Sequence, residues 1–131
     1  MTWPGWEGYA PTTAAAKPKR IRAMSSKLEA ALLQQIALCG LPAPEREVRL
    51  IEGRRYRWDM VWRAQRLAVE VQGATWTRGA HSRGKGQARD AEKQALATLA
   101  GYRCLSVTSD QVRSGQAVEW IGKALNAPRE D

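Results

Sequence analysis

The chain has 131 residues, 44% of them hydrophobic, which fits one globular domain with its own core. Its 21 Lys and Arg outnumber its 13 Asp and Glu, and the net charge of +8 favours a polyanionic partner, most often nucleic acid. No apolar run approaches the roughly 20 residues of a membrane span, so neither a membrane protein nor a secretory signal is expected. Cys39 and Cys104 lack metal-ligand spacing and are expected to be reduced core residues of a cytoplasmic protein.

Residues 1–24 differ in composition from the rest and are predicted to form a flexible arm, followed by one domain over residues 25–131. Prolines and glycines interrupt any periodicity in the arm, so it buries too little apolar surface to order itself. Its basic residues have two interpretations, a solvated tail or a segment that follows a phosphate backbone. The residues assigned to that second role are Lys17, Lys19 and Arg20.

A first helix is predicted over residues 26–39 and ends at Gly40. The apolar residues that recur at helical spacing are Leu28, Leu32 and Ile36. Glu29 has two interpretations, which are compatible with each other. It completes a capping box with Ser26, or it leans from beside the buried stripe toward acidic residues of the following strands.

Three strands are predicted next, over residues 46–51, 56–62 and 67–72, and a short basic turn joins the last two in a hairpin. Side chains alternate between the two faces of a strand. In the second strand this places Trp58, Met60 and Trp62 on one face and Arg57, Asp59 and Val61 on the other. In the third strand it separates Leu67, Val69 and Val71 from Glu70 and Gln72.

Antiparallel pairing of the hairpin would bring Asp59 close to Glu70. Two carboxylates within an apolar hairpin need a compensating partner, because a buried charge must be paired or bound to a metal. Mg²⁺ prefers oxygen ligands and commonly binds through one or two carboxylates. The hairpin therefore predicts a divalent cation site at Asp59 and Glu70.

A basic loop with four glycines follows over residues 73–86. Its conformational freedom and its charge of one sign favour contact with a phosphate backbone over a merely solubilising role. An aromatic side chain in such a loop can pack or stack on a base. The residues assigned to nucleic-acid binding in and just after the loop are Trp76, Arg78, His81, Arg83, Lys85 and Arg89.

A second helix is predicted over residues 87–100, a fourth strand over 102–108 and a last helix over 115–125. The predicted inner face of the second helix consists of Ala88, Ala91, Ala95 and Leu99. Lys93 has two interpretations, a surface ion pair with Asp90 one turn away or a contact with the hairpin carboxylates.

This order of elements, with Asp59 in the second strand and Glu70-Val71-Gln72 in the third, resembles the PD-(D/E)XK nucleases over residues 26–125. Within them, the chain resembles small single-domain members related to very-short-patch-repair endonucleases and to nuclease modules of phage and repair proteins. The resemblance implies an α/β fold of the restriction-endonuclease type. Its central mixed β-sheet would have about four strands flanked by helices, in the order α-β-β-β-α-β-α.

The resemblance also implies roles. Asp59 and Glu70 match the metal-binding acids, with the carbonyl of Val71 as a further ligand. Gln72 stands where the family usually has Lys; it can orient a water but cannot act as its base. The remaining matches are Glu29 to an acid of the first helix and His81 to a histidine after the third strand. A lysine elsewhere would compensate for Gln72, with Lys93 as the first candidate and Lys85 as the second.

The expected function is Mg²⁺-dependent hydrolysis of DNA by an endonuclease that is selective for junctions, branches or mismatches. Mn²⁺ is expected to substitute for Mg²⁺. A protein that cuts both strands would be expected to form a homodimer, and its source would be a bacterium or a phage. Two alternatives remain open: a catalytically inactive DNA-binding protein on the same fold, with Gln72 marking lost catalysis, and a basic module that binds RNA or a partner protein.

Overall fold

A computed structural model describes the backbone of residues 19–72 and 83–126 and the side chains of residues 26–72 and 88–126. It is a mixed α/β fold in which helices flank a four-stranded mixed sheet, as predicted. The elements are α1 (Lys19–Leu38), β1 (Glu45–Val48), β2 (Trp58–Trp62), β3 (Leu67–Gln72), α2 (Arg83–Leu99), β4 (Arg103–Thr108), α3 (Ser109–Ser114) and α4 (Gln116–Asn126). No helix in these ranges is long and apolar enough to cross a membrane.

The strands lie in the order β1-β2-β3-β4. β2 pairs antiparallel with both β1 and β3, while β3 and β4 are parallel and paired along their whole length, from Leu67 with Arg103 to Gln72 with Thr108. A parallel pair needs a crossover connection, and the segment containing α2 makes it. The hairpin and β3 were predicted correctly, because their apolar alternation and polar turn are unambiguous.

Apolar side chains fill both faces of the sheet. On one face, α1, α3 and α4 cover a core that includes Leu32, Met60, Val69 and Ile121. On the other face, α2 covers a smaller core, whose buried members are Val48, Trp58, Val61, Ala68 and Ala97. Because β3 is covered on both faces, four of its six residues are buried, and the two less buried ones are Glu70 and Gln72.

α1 begins at Lys19, seven residues before the predicted start, so six residues assigned to the arm are helical in the structure. Ser26 therefore lies inside the helix, where it cannot act as an N-cap, and the capping-box interpretation of Glu29 is wrong. Glu29 is instead a buried residue whose side chain is only 7% exposed. Gly40 follows the helix with a φ of 70°, in the left-handed conformation that ends helices.

The predicted inner face of α2 is wrong. Its four apolar residues (Ala88, Ala91, Ala95 and Leu99) are exposed, and the helix packs on the sheet through Lys93 and Ala97. The prediction of the inner face counted only apolar residues, whereas Lys93 is buried against the sheet because it has a carboxylate partner there. Cys39 is likewise exposed rather than part of the core, while Cys104 is half-buried, and both are free thiols.

The short helix α3 was not predicted. Its signal is a capping box, in which the Thr108 hydroxyl accepts from the N–H of Gln111 and the Gln111 side chain accepts from the N–H of Thr108. Gly115 then closes α3 with a φ of 86° and leads directly into α4. The predicted last helix is confirmed within one residue at each end.

Candidate functional site

The candidate site is built on an irregularity of β2 at Asp59. Pairing of β2 with β3 stops at Met60, one residue before Asp59 would face Glu70. The Asp59 Oδ2 instead accepts a hydrogen bond from the backbone N–H of Val71 at 2.7 Å. Asp59 therefore lies against the backbone of β3, next to the residue that follows Glu70.

The same irregularity changes the orientation of Trp58. Strict alternation predicts that Trp58 shares a face with Met60, but its indole packs beside Val61 and Ala97 on the α2 side of the sheet. On β1, Arg46 and Val48 pair with Met60 and Trp58, which places Glu47 opposite Asp59. Glu47 has a φ of 52°, so both strands depart from regular β geometry at this point.

Asp59 belongs to a group of three carboxylates that we call the acid triad, formed by Glu29, Glu47 and Asp59. Each side chain offers one oxygen, and these three oxygens all lie within 4.8 Å of one another. The three residues come from α1, β1 and β2, so tertiary folding alone brings them together. Such spacing suits one divalent cation bound by oxygen ligands.

Glu29 is the buried member of the acid triad. Burial raises the pKa of its carboxyl group to about 7, and the negative charge of Asp59, a hydrogen bond with Asp59 and the charge of Glu47 act in the same direction. Glu29 Oε1 is buried and has no hydrogen-bond partner among the described residues. A buried carboxylate oxygen without a donor is costly, so this site fits a bound cation.

We expect the metal-free protein to lose stability as the pH rises through the range set by Glu29. Between pH 4.5 and about 7 the folded state holds a proton on Glu29 that the unfolded chain has released. The free energy of unfolding therefore falls as the pH rises to about 7. Glu29 lowers it by at most about 3 kcal/mol. Thermal unfolding in chelator between pH 5 and 8 measures the effect, with Glu29→Gln as the comparison.

The Glu29→Gln variant lacks the titrating group, so its melting temperature should fall less over this pH range than that of the wild type. Its advantage over the wild type should be largest at pH 8. Melting curves that change in parallel with pH for the two proteins would contradict the assignment of this titration to Glu29.

Glu70 contacts a different helix from Asp59. Its Oε1 accepts from the ammonium group of Lys93 on α2, so the interpretation in which Lys93 reaches a hairpin carboxylate is confirmed. Lys93 is only 7% exposed, and its Nζ also lies 4.5 Å from the ring centroid of Trp58. The end of the Lys93 side chain is therefore held between a carboxylate and an aromatic face.

Gln72 is half-buried at the end of β3, two residues after Glu70 and therefore on the same face of the strand. The residues predicted from the family resemblance as metal ligands, Asp59, Glu70 and the Val71 carbonyl, remain a prediction. The acid triad shares Asp59 with that set and has Glu29 and Glu47 where the prediction has Glu70.

Several exposed arginines lie on the same part of the chain as Glu47, and two of them, Arg46 and Arg57, interact with members of the acid triad. Four of them lie on β1 and on the connection to β2, namely Arg46, Arg49, Arg55 and Arg57. Arg57 pairs with Glu47 at 3.6 Å, and the positive charge of Arg46 partly offsets the upward pKa shift of Glu29. Arg54 contacts Glu92 at 3.5 Å and so links the same connection to α2.

The sequence analysis missed Glu47 and these arginines. In the sequence Glu47 has the pattern of an ordinary exposed strand residue. Only its position opposite Asp59 in the folded protein makes it part of the acid triad. Arg46, Arg49 and Arg57 lie in predicted strands and Arg55 in the predicted turn between them, although their density was a visible signal of a phosphate-binding surface.

Four of the nine residues predicted to bind nucleic acid lie outside the described part of the chain: Lys17, Trp76, Arg78 and His81. Lys19 and Arg20 fall in the first turn of α1, and Arg83 and Lys85 in the first turn of α2. The side chains of these four residues are outside the described set. Arg89 is half-buried on α2.

Comparison of the chain with protein-family models, curated proteins and solved structures gives no match.

Proposed function

We propose that the protein is a metal-dependent nuclease that hydrolyses phosphodiester bonds in DNA. The observation that carries this proposal is the acid triad, in which three carboxylates converge and a buried oxygen of Glu29 has no hydrogen-bond partner among the residues that the structure describes. Glu70, which pairs with Lys93, directly precedes Val71 on β3, and the backbone N–H of Val71 donates to Asp59. The order of elements and the mixed sheet also agree with the fold that the family resemblance implied.

Hydrolysis of a phosphodiester needs an activated water and neutralisation of the charge that develops on the phosphate. A divalent cation supplies both when it is bound to carboxylates. Asp59 is the acid common to the acid triad and to the predicted ligand set, and its hydrogen bond to Val71 fixes its orientation. Glu29 and Glu47 are the further acids that can hold such a cation.

Lys93 takes the place of the lysine that is missing at Gln72. Its ammonium group is held between Glu70 and the face of Trp58, so its position is fixed before any substrate binds. In that position it can donate to a phosphate oxygen or to the attacking water. Gln72 on the same face can orient the water through its amide group.

The exposed arginines of β1 and of its connection to β2 supply the attraction for the substrate. Acidic residues alone would repel a phosphodiester backbone, whereas Arg46 on β1 and Arg49 and Arg55 on the connection are exposed positive charges. Neutralisation of DNA phosphates by such residues releases counterions and makes binding depend on salt. The net charge of +8 acts in the same direction.

The proposal is tested by incubating the protein with labelled DNA substrates in Mg²⁺, in Mn²⁺ and in chelator. The substrates are a duplex, a mismatch, a flap, a four-way junction and a single strand. We expect at least one to be cut with either metal and none to be cut in chelator. Binding without cutting of any substrate would instead favour the catalytically inactive DNA-binding protein.

A further inference from the structure

We propose that Glu47 of β1 ligates a divalent cation together with Glu29 and Asp59. The inference rests on the proposed function, which is the reason to expect a cation. It adds a ligand that lies outside the hairpin. Glu47 would make β1 part of the metal site and not only the edge of the sheet.

The placement of Glu47 gives the first argument. It lies opposite Asp59 across the β1–β2 pair, and its side chain is 55% exposed, whereas Glu29 beneath it is 7% exposed. The three acids thus form a site with a buried floor, a half-buried wall at Asp59 and an open rim. A hydrated cation can enter from the rim and keep part of its water shell, as Mg²⁺ usually does.

Glu29 gives an independent argument. Its Oε1 is buried and has no hydrogen-bond partner among the residues that the structure describes, although Glu29 belongs to the acid triad. Burying a carboxylate oxygen without a donor is unfavourable, and a cation beside it removes that penalty. Carboxylate ligands and this open geometry favour Mg²⁺ or Mn²⁺ over a softer metal.

The charges next to Glu47 are compatible with this role. Its ion pair with Arg57 spans 3.6 Å, and both side chains are more than half exposed. Such exposed pairs contribute little free energy, so a cation can displace the arginine. Glu70 differs, because its carboxylate is paired with the buried Lys93.

The test measures Mn²⁺ binding without DNA, from the loss of the electron paramagnetic resonance signal of free Mn²⁺. The variants are Glu47→Gln, Glu45→Gln and Arg57→Gln. Glu45 is a matched control, because it is an exposed acid of the same strand that pairs with Arg63 and lies outside the acid triad. Arg57→Gln removes the ion pair of Glu47 but keeps its carboxylate.

We expect Glu47→Gln to weaken Mn²⁺ binding by at least about tenfold, since even outer-shell groups of metal sites are worth about 10–100-fold. Glu45→Gln should bind like the wild type, and Arg57→Gln should bind equally well or more tightly. Equal binding by Glu47→Gln and Glu45→Gln would overturn the proposal, as would a wild type that binds no Mn²⁺. So would weakening by Arg57→Gln that equals the effect of Glu47→Gln, because Glu47 would then act through the ion pair.

These outcomes are separate from those of the proposed function. Metal-dependent cleavage with unchanged Mn²⁺ binding by Glu47→Gln would leave the nuclease standing and remove Glu47 from its site. Mn²⁺ binding that requires Glu47, with no cleavage of any DNA, would leave the cation site standing and remove the nuclease.

Discussion

Asp59→Asn is expected to abolish metal-dependent DNA cleavage, with a loss of about a thousandfold or more, because carboxylate-bound cations contribute several kcal/mol to such reactions. Asp59 is shared by the acid triad and by the predicted ligand set, so no other single substitution should remove more of the site. Initial rates on the best substrate of the labelled DNA set measure the effect.

The fold should tolerate this substitution. The asparagine carbonyl can still accept from the Val71 N–H, and the loss of one negative charge relieves repulsion with Glu29. DNA binding in chelator and the melting temperature should therefore be retained. Asp110→Asn, at an exposed position in the first turn of α3, is the matched control and should cut at the wild-type rate. Undiminished cleavage by Asp59→Asn would contradict the site assignment.

Lys93→Met is expected to have the second largest effect, lowering the cleavage rate by about a hundredfold, the lower end of what a positioned donor or acid–base group supplies. Methionine keeps most of the apolar stem beneath α2 but removes the ammonium group from Glu70 and Trp58. The side chain of Glu70 is 23% exposed, so its lost partner should cost about 1–3 kcal/mol of stability.

Lys123→Met is the matched control, because Lys123 is exposed on α4 and pairs only with Glu119 in the adjacent turn among the described contacts. Chemical denaturation and cleavage rates should be measured on both variants and on Lys93→Met combined with Glu70→Gln. If Lys93 only balances the charge of Glu70, the double variant should recover stability. Cleavage by Lys93→Met at the rate of Lys123→Met would rule out a catalytic contribution.

The fold could be predicted where local signals were strong. The hairpin of β2 and β3 has alternating apolar residues around a polar turn, and α4 has an apolar stripe, so both were placed within a few residues. α3 was missed because a six-residue helix has too little periodicity, although its Thr108–Gln111 capping box was present in the sequence. The start of α1 was missed because a basic, proline-flanked segment favours a tail over a helix.

The site could be predicted only in part. Three acids, Glu29, Asp59 and Glu70, and one lysine, Lys93, were predicted from the sequence to lie near one another. In the structure Glu29 lies beside Asp59, and Lys93 pairs with Glu70. It placed Asp59 opposite Glu70 by strict alternation, and the irregularity of β2 turns Asp59 toward Glu29 and Glu47 instead. The packing of α1 against the sheet and the pairing of β1 with β2 determine that contact, and the periodicity of one strand carries no information about either.

The central claim is that the carboxylates around Asp59 hold a divalent cation. Calorimetric titration of Mn²⁺ into the wild-type protein and into Asp59→Asn tests it most directly. We expect saturable binding by the wild type and a loss of that binding in Asp59→Asn, with Asp110→Asn unchanged. No saturable binding by the wild type, or equal binding by Asp59→Asn, would contradict it.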